Sequence, residues 1–310
     1  MLDKRRSLAD AVATIEDGAV VALGGNTLHR APVAAVHELV RQGKRGLELV
    51  KTAGAYDVDL LCGWGCASAV SAGFVGYESV FGLAPLYRRA VESGLVEARE
   101  HACYTVIAGL RAAAQGVPFM PVNALQGSQL PQARDFRTVR DPYTDGEVMA
   151  IPAIAPDVAL IHVHEADAEG NGRIVGSHFE DALMVRAAKW VILTAERIVD
   201  GAQFAQDPER TTIPGFLVDS VVEAPRGAWP TSCAGLYDYD ADYLAQFIAA
   251  AADEGMLRRF VEEHVLAGAV SPHSPAPSPT VGREGDRPTV LPSPASGRGA
   301  GGEGRPEGRW

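Results

Sequence analysis

The 310-residue sequence predicts an α/β protein with a largely parallel sheet flanked by helices. Two observations indicate this class. Helical and strand patterns alternate along the first 268 residues, as expected when crossover helices connect parallel strands. Runs such as residues 158–161 are apolar without alternation. Strands of that kind are covered on both faces, which is typical of a parallel sheet between two helix layers.

The chain begins with a helix, a strand and a second helix. Ser7 stands where an N-cap is expected, with Asp10 three residues later, and Gly18 ends the helical pattern. The apolar strand 19–23 follows and leads into two glycines. Pro32 begins the next helix, because proline is well accommodated in a first helical turn. Residues 47–50 form the second predicted strand.

The alternation continues to the end of the folded pattern. Helices are predicted over about 104–115, ending at Gly116, and over about 181–189. Strands are predicted at 158–163, 190–194 and 216–222. Two further helices, over about 241–252 and 254–265, complete the pattern.

The composition changes near Gly268. Residues 271–310 contain eight Pro and eight Gly and almost no apolar side chains. Ordering such a segment costs backbone entropy that no apolar burial offsets. We therefore expect one folded domain over residues 1–268 and a disordered Pro/Gly-rich tail over residues 269–310.

The charge balance excludes several classes of partner. Lys and Arg number 28 against 39 Asp and Glu, for a formal net charge of −11. Binding to phosphate backbones requires clustered cations, so we expect no nucleic acid partner. The apolar runs are too short to span a bilayer, and the charged N-terminus lacks the core of a secretory signal. The sequence therefore predicts a cytoplasmic protein without a membrane partner.

Candidate metal ligands are few. Cys62 and Cys66 lie near no second pair of Cys or His, and we expect cysteines of a cytoplasmic protein to be buried thiols. His162 and His164 share one face of a strand, but no further ligands stand at a familiar spacing, so a hydrogen-bonded structural role is favoured. The sequence predicts no metal site.

Two polar loops are the candidate binding elements. An open α/β sheet binds its ligand beyond the carboxyl ends of its strands, which selects the loops after Leu23, after Val50, near Leu125 and after Val163. In the first, Gly24, Gly25 and Asn26 can bring N–H groups close to an anion or a carbonyl oxygen, and Arg30 can pair with a carboxylate. A tight turn and a solvated arginine are the alternative interpretation.

The second loop contains Gln126, Gly127 and Ser128 after a predicted strand. A side-chain amide, a flexible backbone and a hydroxyl can together donate hydrogen bonds to an acyl oxygen. A polar turn explains the same spacing. No Gly-x-Ser-x-Gly motif occurs, and no Ser/His/Asp set is indicated, so the residues alone identify no nucleophile.

Taken together, these residues resemble the A (alpha) subunit of family I coenzyme A transferases, in the glutaconate CoA-transferase branch. The family signature reads Asp/Asn-Gly, two residues, three apolar residues, Gly-Gly-Phe, three residues, Gly, one residue and Pro. Residues 17–32 follow it as Asp-Gly-Ala-Val-Val-Ala-Leu-Gly-Gly-Asn-Thr-Leu-His-Arg-Ala-Pro. Asn26 replaces the Phe, and Arg30 replaces the Gly, the second being similar to the glutaconate-type branch.

Three later segments extend the resemblance to residues 3–268. The first is the apolar stretch 116–122 with the Gln-Gly-Ser loop. The second is the strand 157–162 with the turn Ala-Asp-Ala-Glu-Gly-Asn at 166–171. The third is Cys-Ala-Gly-Leu-Tyr-Asp-Tyr-Asp at 233–240. The resemblance implies the fold that these transferases share with ribose-phosphate isomerase-like proteins.

The resemblance also implies that part of the active site lies on a second chain. In the family the nucleophilic glutamate lies on the B (beta) subunit, in a motif read roughly as Ser-Glu-Asn-Gly, which this sequence lacks. We therefore expect no catalytic nucleophile in this chain. We also expect the beta subunit of a CoA-transferase as an obligate partner, in an α2β2 or larger hetero-oligomer.

The implied reaction moves CoA from an acyl-CoA to a carboxylic acid by a ping-pong mechanism through a glutamyl-CoA thioester. Coenzyme A is then a co-substrate, and no permanently bound cofactor is expected. On this chain, the resemblance makes the backbone around Gly24, Gly25 and Asn26 and the loop with Gln126, Gly127 and Ser128 candidate oxyanion-binding elements. Arg30 becomes the candidate ligand of a substrate carboxylate.

Two alternatives remain. Some relatives hydrolyse rings of steroid-derived CoA thioesters with a glutamate of the A-type chain, which would follow a segment resembling residues 93–100. Here His101, Ala102, Cys103 and Tyr104 follow without an acid, although Glu100 is one position away. The other alternative is a solitary, non-catalytic ligand-binding protein with the same fold.

Overall fold

The computed structural model describes residues 3–267, and the predicted tail lies outside this range. The strands are β1 (Val20–Leu23), β2 (Leu47–Gly54), β3 (Ala67–Val75), β4 (Glu97–Glu100), β5 (Phe119–Val122), β6 (Arg137–Arg140), β7 (Glu147–Pro152), β8 (Val158–Ala166), β9 (Gly172–Arg173), β10 (Trp190–Ile198) and β11 (Ser220–Glu223). The helices are α1 (Leu8–Ala13), α2 (Val33–Arg41), α3 (Tyr56–Gly63), α4 (Glu78–Phe81), α5 (Pro85–Glu92), α6 (Cys103–Ala114), α7 (Leu130–Ala133), α8 (Asp181–Ala187), α9 (Gly201–Gln206), α10 (Ala241–Ala250) and α11 (Glu254–Val261).

The central sheet is parallel, as the apolar strands predict. Its order is β11-β10-β8-β1-β2-β3-β4, and all of these neighbours pair in parallel. The short β9 adds an antiparallel pairing to β8. A second, antiparallel sheet has the order β5-β7-β6. The α/β class with a largely parallel sheet is therefore confirmed.

Helices cover both faces of the central sheet. On one face, α1, α2, α3, α5, α10 and α11 share a core that includes Val36, Leu39, Leu60 and Phe247. On the other, α6 packs against α8 over a second core. Burial on both faces explains why β8 is apolar without alternation. Among the described residues, no helix combines the length and the apolar character that crossing a bilayer requires.

Side-chain caps begin several helices where the sequence indicates them. The Ser7 hydroxyl accepts a hydrogen bond from the Asp10 N–H at 3.1 Å, which confirms the predicted start of α1. Asp240 and Asp253 cap α10 and α11 in the same way. The predicted pair of C-terminal helices is present, although the last turns, Glu262–Leu266, widen into a π-helix.

Several elements differ from the sequence prediction. The segment predicted as a strand at 216–222 begins with a 3₁₀ turn, Gly215–Leu217, and pairs as β11 only from Ser220. The unpredicted β3 is built largely from small residues, which give no apolar signal. Gly73 in this strand has a structural reason, since a Cβ there would lie 2.3 Å from the Cys103 nitrogen at the start of α6.

Candidate functional site

The central sheet changes winding direction between β1 and β8. From β1 the chain adds β2, β3 and β4 on one side, and it later adds β8, β10 and β11 on the other. The helices that follow β1 and β8 accordingly pack on opposite faces. Ligands of open α/β sheets bind at the carboxyl ends of the strands where the winding reverses. We call the carboxyl edge of the sheet at this point the switch crevice.

The short β1 creates the switch crevice. Leu23, its last residue, pairs with Leu160, whereas β8 continues to Ala166. On the other side, Ala22 pairs with Val50, and β2 continues to Gly54. The loop from Gly24 to Arg30 fills the gap between the two longer strands, so its position agrees with the sequence prediction.

Two buried ion pairs, Lys51 with Asp57 and Arg30 with Asp181, hold the peptide between Gly24 and Gly25. Lys51 donates to the Gly24 carbonyl at 2.8 Å and pairs with Asp57 at 2.5 Å. The Gly25 N–H donates to Asp181 at 2.8 Å. Lys51, Asp57 and Asp181 are fully buried. Both polar ends of one peptide unit are therefore bound inside the chain, which fixes its orientation.

Glycine is required at position 25. Its φ is +69°, and a Cβ would lie 2.4 Å from the carbonyl oxygens of both His29 and Arg30. The N–H groups of its two neighbours also have partners. The Gly24 N–H donates to the Leu160 carbonyl, and the Asn26 N–H donates to the His29 carbonyl, each at 2.9 Å. The expectation that the N–H groups of Gly24, Gly25 and Asn26 face a ligand is thus not met by this arrangement, because all three already have partners within the chain.

Arg30 lies inside the protein rather than in the switch crevice. Only 3% of the residue is exposed. Its guanidinium pairs with Asp181 and donates to the carbonyls of His162 at 2.7 Å and Ser177 at 3.0 Å. A buried guanidinium needs such partners to offset its lost hydration. These contacts replace the substrate carboxylate that the sequence suggested as its partner.

A group of polar side chains faces the crevice, and only Asn26 among them was predicted from the sequence. The Thr52 hydroxyl, near the end of β2, donates to Glu180 at 2.6 Å, directly before α8. The Asn26 amide approaches the same hydroxyl at 3.5 Å. The exposed Cys103, at the start of α6, directs its thiol to the Thr52 carbonyl at 3.4 Å. Partial burial and the nearby Glu180 raise the pKa of this thiol.

The position of Cys103 bears on the hydrolase alternative. Residues 97–100 form β4, and α6 begins three residues later. His101, between them, is buried against Thr105 at 2.9 Å, and burial lowers its pKa to about 4. The start of α6 thus brings the Cys103 thiol towards Thr52, in the segment where the hydrolase alternative would require a glutamate.

The second predicted loop lies elsewhere in the fold. Gln126, Gly127 and Ser128 follow β5, which belongs to the antiparallel sheet rather than to the central one. All three are exposed, with the Gln126 amide on Asn123 at 2.6 Å and the Ser128 hydroxyl on the Leu125 carbonyl at 3.0 Å. Within residues 3–267, no hydrogen bond joins this loop to the Gly24–Arg30 loop.

The two histidines of β8 lie in a hydrogen-bond network. His162 contacts Thr194 and Glu196, both at 2.9 Å, and His164 contacts the Ala234 carbonyl at 2.9 Å and the Val175 N–H at 3.2 Å. Burial lowers the pKa of both imidazoles. The structure brings Glu196 and Cys233 close to His162, a cluster that chain spacing could not reveal. All four ring nitrogens have protein partners, as the favoured structural role requires.

The rim of the switch crevice is apolar. Large apolar side chains are exposed near the end of β3 and in the segments after β3, β4 and β8, namely Phe74, Val80, Leu83, Tyr104 and Phe179. Several large apolar side chains exposed near one polar site are a feature of surfaces that another chain covers.

Comparison with known proteins identifies the family. Residues 5–224 match the family model described as coenzyme A transferase. The chain is 35% identical to the A (alpha) subunit of glutaconate CoA-transferase from Acidaminococcus fermentans, over 78% of this chain and 82% of that protein. It is 34% identical to the IpdA subunit of the cholesterol ring-cleaving hydrolase from Mycobacterium tuberculosis, over 86% and 94%. A protein of Archaeoglobus fulgidus is 38% identical over 86% of this chain, which spans only 60% of that protein.

Solved structures agree with the sequence matches. The crystal structure of the Acidaminococcus fermentans glutaconate coenzyme A-transferase superposes with a TM-score of 0.82 at 33% identity, over 85% of this chain and 89% of that one. The crystal structure of a variant of the decarboxylase AibA/AibB superposes with a TM-score of 0.77 at 39% identity, over 84% and 98%. The family model, the relatives and the shared fold together show that this chain belongs to the coenzyme A transferase family.

Proposed function

We propose that this chain is the alpha subunit of a heteromeric CoA-transferase, and that a beta subunit supplies the nucleophilic glutamate. The observation that carries the proposal is the switch crevice itself: a polar site at the winding reversal whose rim exposes Phe74, Tyr104 and Phe179. A partner that covers this rim would exclude water from the crevice. Exclusion of water raises the reactivity of a carboxylate nucleophile, which is weak when hydrated.

In the proposed reaction, the partner's glutamate attacks the acyl-CoA thioester and forms an acyl-glutamyl anhydride with release of the CoA thiolate. The thiolate attacks the anhydride at the glutamyl carbonyl, which leaves glutamyl-CoA and the free acid. A second carboxylic acid then takes the CoA by the reverse steps. The relatives include the alpha subunits of glutaconate and 3-oxoadipate CoA-transferases, which supports CoA as the transferred group.

This chain has two carboxylates of its own at the crevice. Glu180 accepts a hydrogen bond from Thr52, and Glu78 accepts one from Thr27. Hydrogen bonds to the charged form stabilise a carboxylate and reduce its tendency to attack. We therefore assign neither of them as the nucleophile.

The test is co-expression with the chain encoded by the neighbouring reading frame. CoA exchange between a labelled acyl-CoA and a free acid should require both chains. After incubation with acyl-CoA alone, mass spectrometry should find the covalent CoA adduct on the partner chain. An adduct on Glu180 or Glu78, or exchange by this chain alone, would overturn the split-site proposal.

The proposed oxyanion donors of this chain are in the exposed Gln126–Ser128 loop. If the Gln126 amide donates to the tetrahedral intermediates, Gln126→Ala should lower kcat by about 100-fold, the usual effect of losing one such donor, and leave KM nearly unchanged. Gln129→Ala, which removes an exposed amide three positions away, is the matched control. An unchanged kcat in Gln126→Ala would remove this residue from the site.

A further inference from the structure

A histidine on the rim of the switch crevice has an arrangement that CoA transfer does not use. His29, in the loop after β1, contacts the Ser232 hydroxyl through Nδ1 at 2.9 Å. Its Nε2 lies 3.8 Å from a carboxylate oxygen of Glu78, the first residue of α4. These three side chains come from segments separated by up to 203 positions, and the fold alone brings them together.

Ser232 orients the imidazole and does not act as a nucleophile. The residue is 8% exposed. Its own N–H donates to Leu28, and the next N–H, of Cys233, donates to Tyr237. N–H groups at these two positions usually stabilise the oxyanion on an acylated serine, but here both already donate to backbone carbonyls. A serine hydroxyl can donate or accept, so it holds the ring in either protonation state.

The remaining contacts leave the imidazole accessible on its Nε2 side. The side chain of His29 stays 48% exposed and stacks on Phe179, with the ring centroids 6.4 Å apart. Phe179 directly precedes Glu180, so the ring lies beside the polar side chains of the crevice. The Glu78 carboxylate lies on the Nε2 side of the ring, and the Thr27 hydroxyl donates to this carboxylate and fixes its position.

We infer that His29 is a general base that admits water as an acyl acceptor, which gives the assembled enzyme a CoA-thioester hydrolase activity beside CoA transfer. Water attacks the acyl carbonyl carbon and gives one proton to Nε2 of His29. The C–S bond then breaks, and the CoA thiolate takes that proton. The products are the carboxylic acid and free CoA thiol. The inference rests on the proposed two-subunit site, because it takes the acyl-CoA in that site as its substrate.

The experiment measures both activities of the co-purified two-chain complex. Release of free thiol from acetyl-CoA and from glutaryl-CoA reports hydrolysis, and CoA exchange with labelled acetate or glutarate reports transfer. In His29→Gln, the ratio of hydrolysis to exchange should fall about 100-fold, the usual contribution of a general base. Glu78→Gln should lower the ratio in the same direction. His178→Gln, an exposed histidine before α8, is the matched control and should keep the native ratio.

Each outcome decides the inference. Absence of hydrolysis in the native complex overturns it, while exchange in the same sample still supports the transferase. An unchanged ratio in His29→Gln also overturns it, whether both activities persist or fall together. If His29→Gln fails to assemble with the partner, Glu78→Gln is the deciding variant. A ratio of hydrolysis to exchange equal to that of the native complex then overturns the inference. A complex that fails to exchange CoA but hydrolyses acyl-CoA through His29 contradicts the transferase proposal instead.

Discussion

Replacing Lys51 with methionine should lower the free energy of unfolding by about 3–5 kcal/mol, the usual cost of leaving one member of a buried ion pair unpaired. Lys51 and Asp57 are both fully buried, and Lys51 also donates to the Gly24 carbonyl. The variant leaves the Asp57 charge uncompensated and the carbonyl without its donor. Urea unfolding followed by circular dichroism measures the difference.

The chain offers a matched control for this prediction. Lys189 and Asp157 form a pair of the same chemistry at 2.7 Å on the surface, where the lysine side chain is 73% exposed. Exposed pairs contribute about 0–1 kcal/mol, so Lys189→Met should have a small effect. Similar losses in the two variants would contradict a special role for the buried pair.

A double variant separates stability from the orientation of the loop. Lys51→Met combined with Asp57→Leu removes both charges, and buried pairs replaced by apolar residues often retain or gain stability. Most of the lost free energy should therefore return. The Gly24 carbonyl still lacks its donor, so CoA exchange by the two-chain complex should stay low. Full recovery of exchange would show that Lys51 does not position the Gly24–Gly25 peptide.

Gly25→Ala should have the second large effect. An L-residue in a left-handed conformation costs about 1–2 kcal/mol, and the new Cβ also overlaps two backbone carbonyl oxygens at 2.4 Å. Backbone atoms cannot rotate away as a side chain can, so the loop must move and the hydrogen bond to Asp181 must lengthen. We expect reduced stability and a loss of CoA exchange in the complex.

Gly18→Ala isolates the contribution of the close approach. Gly18 has a φ of +80°, and a Cβ there would meet nothing within 4 Å. This variant therefore has the cost of the left-handed conformation without the overlap. The thermal unfolding midpoint should fall more in Gly25→Ala than in Gly18→Ala. Equal shifts would indicate that the loop tolerates a methyl group at position 25.

Local pattern predicted much of the fold. The N-cap at Ser7, the strand before Gly24 and the helices that end the described chain depend on neighbours within a few residues, so the sequence contains their signal. The strand β3 was missed because its small residues gain burial from helices on both sides rather than from their own apolarity. The loop near Leu125 was predicted at the carboxyl edge of the central sheet, but it follows a strand of the antiparallel sheet. The sequence could not show this, because strand membership in a sheet depends on distant pairing partners.

The candidate site was likewise only partly predictable from the sequence. The two glycines after the first strand, read with the motifs around them, were sufficient to indicate the family and a binding loop at the carboxyl edge of the sheet. The sequence could not tell that Arg30 turns inward to Asp181, 151 positions away, or that His29 meets Ser232. Whether a charged side chain faces water or a buried partner depends on which segments the fold brings beside it.

The sequence by itself determined the α/β class, the starts of several helices and the identity of the loop at the winding reversal, because these follow from local periodicity, capping and backbone freedom. Only the tertiary structure decided the strand order, the buried ion pairs around the Gly24–Gly25 peptide and the polar side chains that face the crevice. The strand order depends on pairing between distant segments, and the ion pairs depend on the free energy of burying charges together, so contacts between residues far apart in the chain set both.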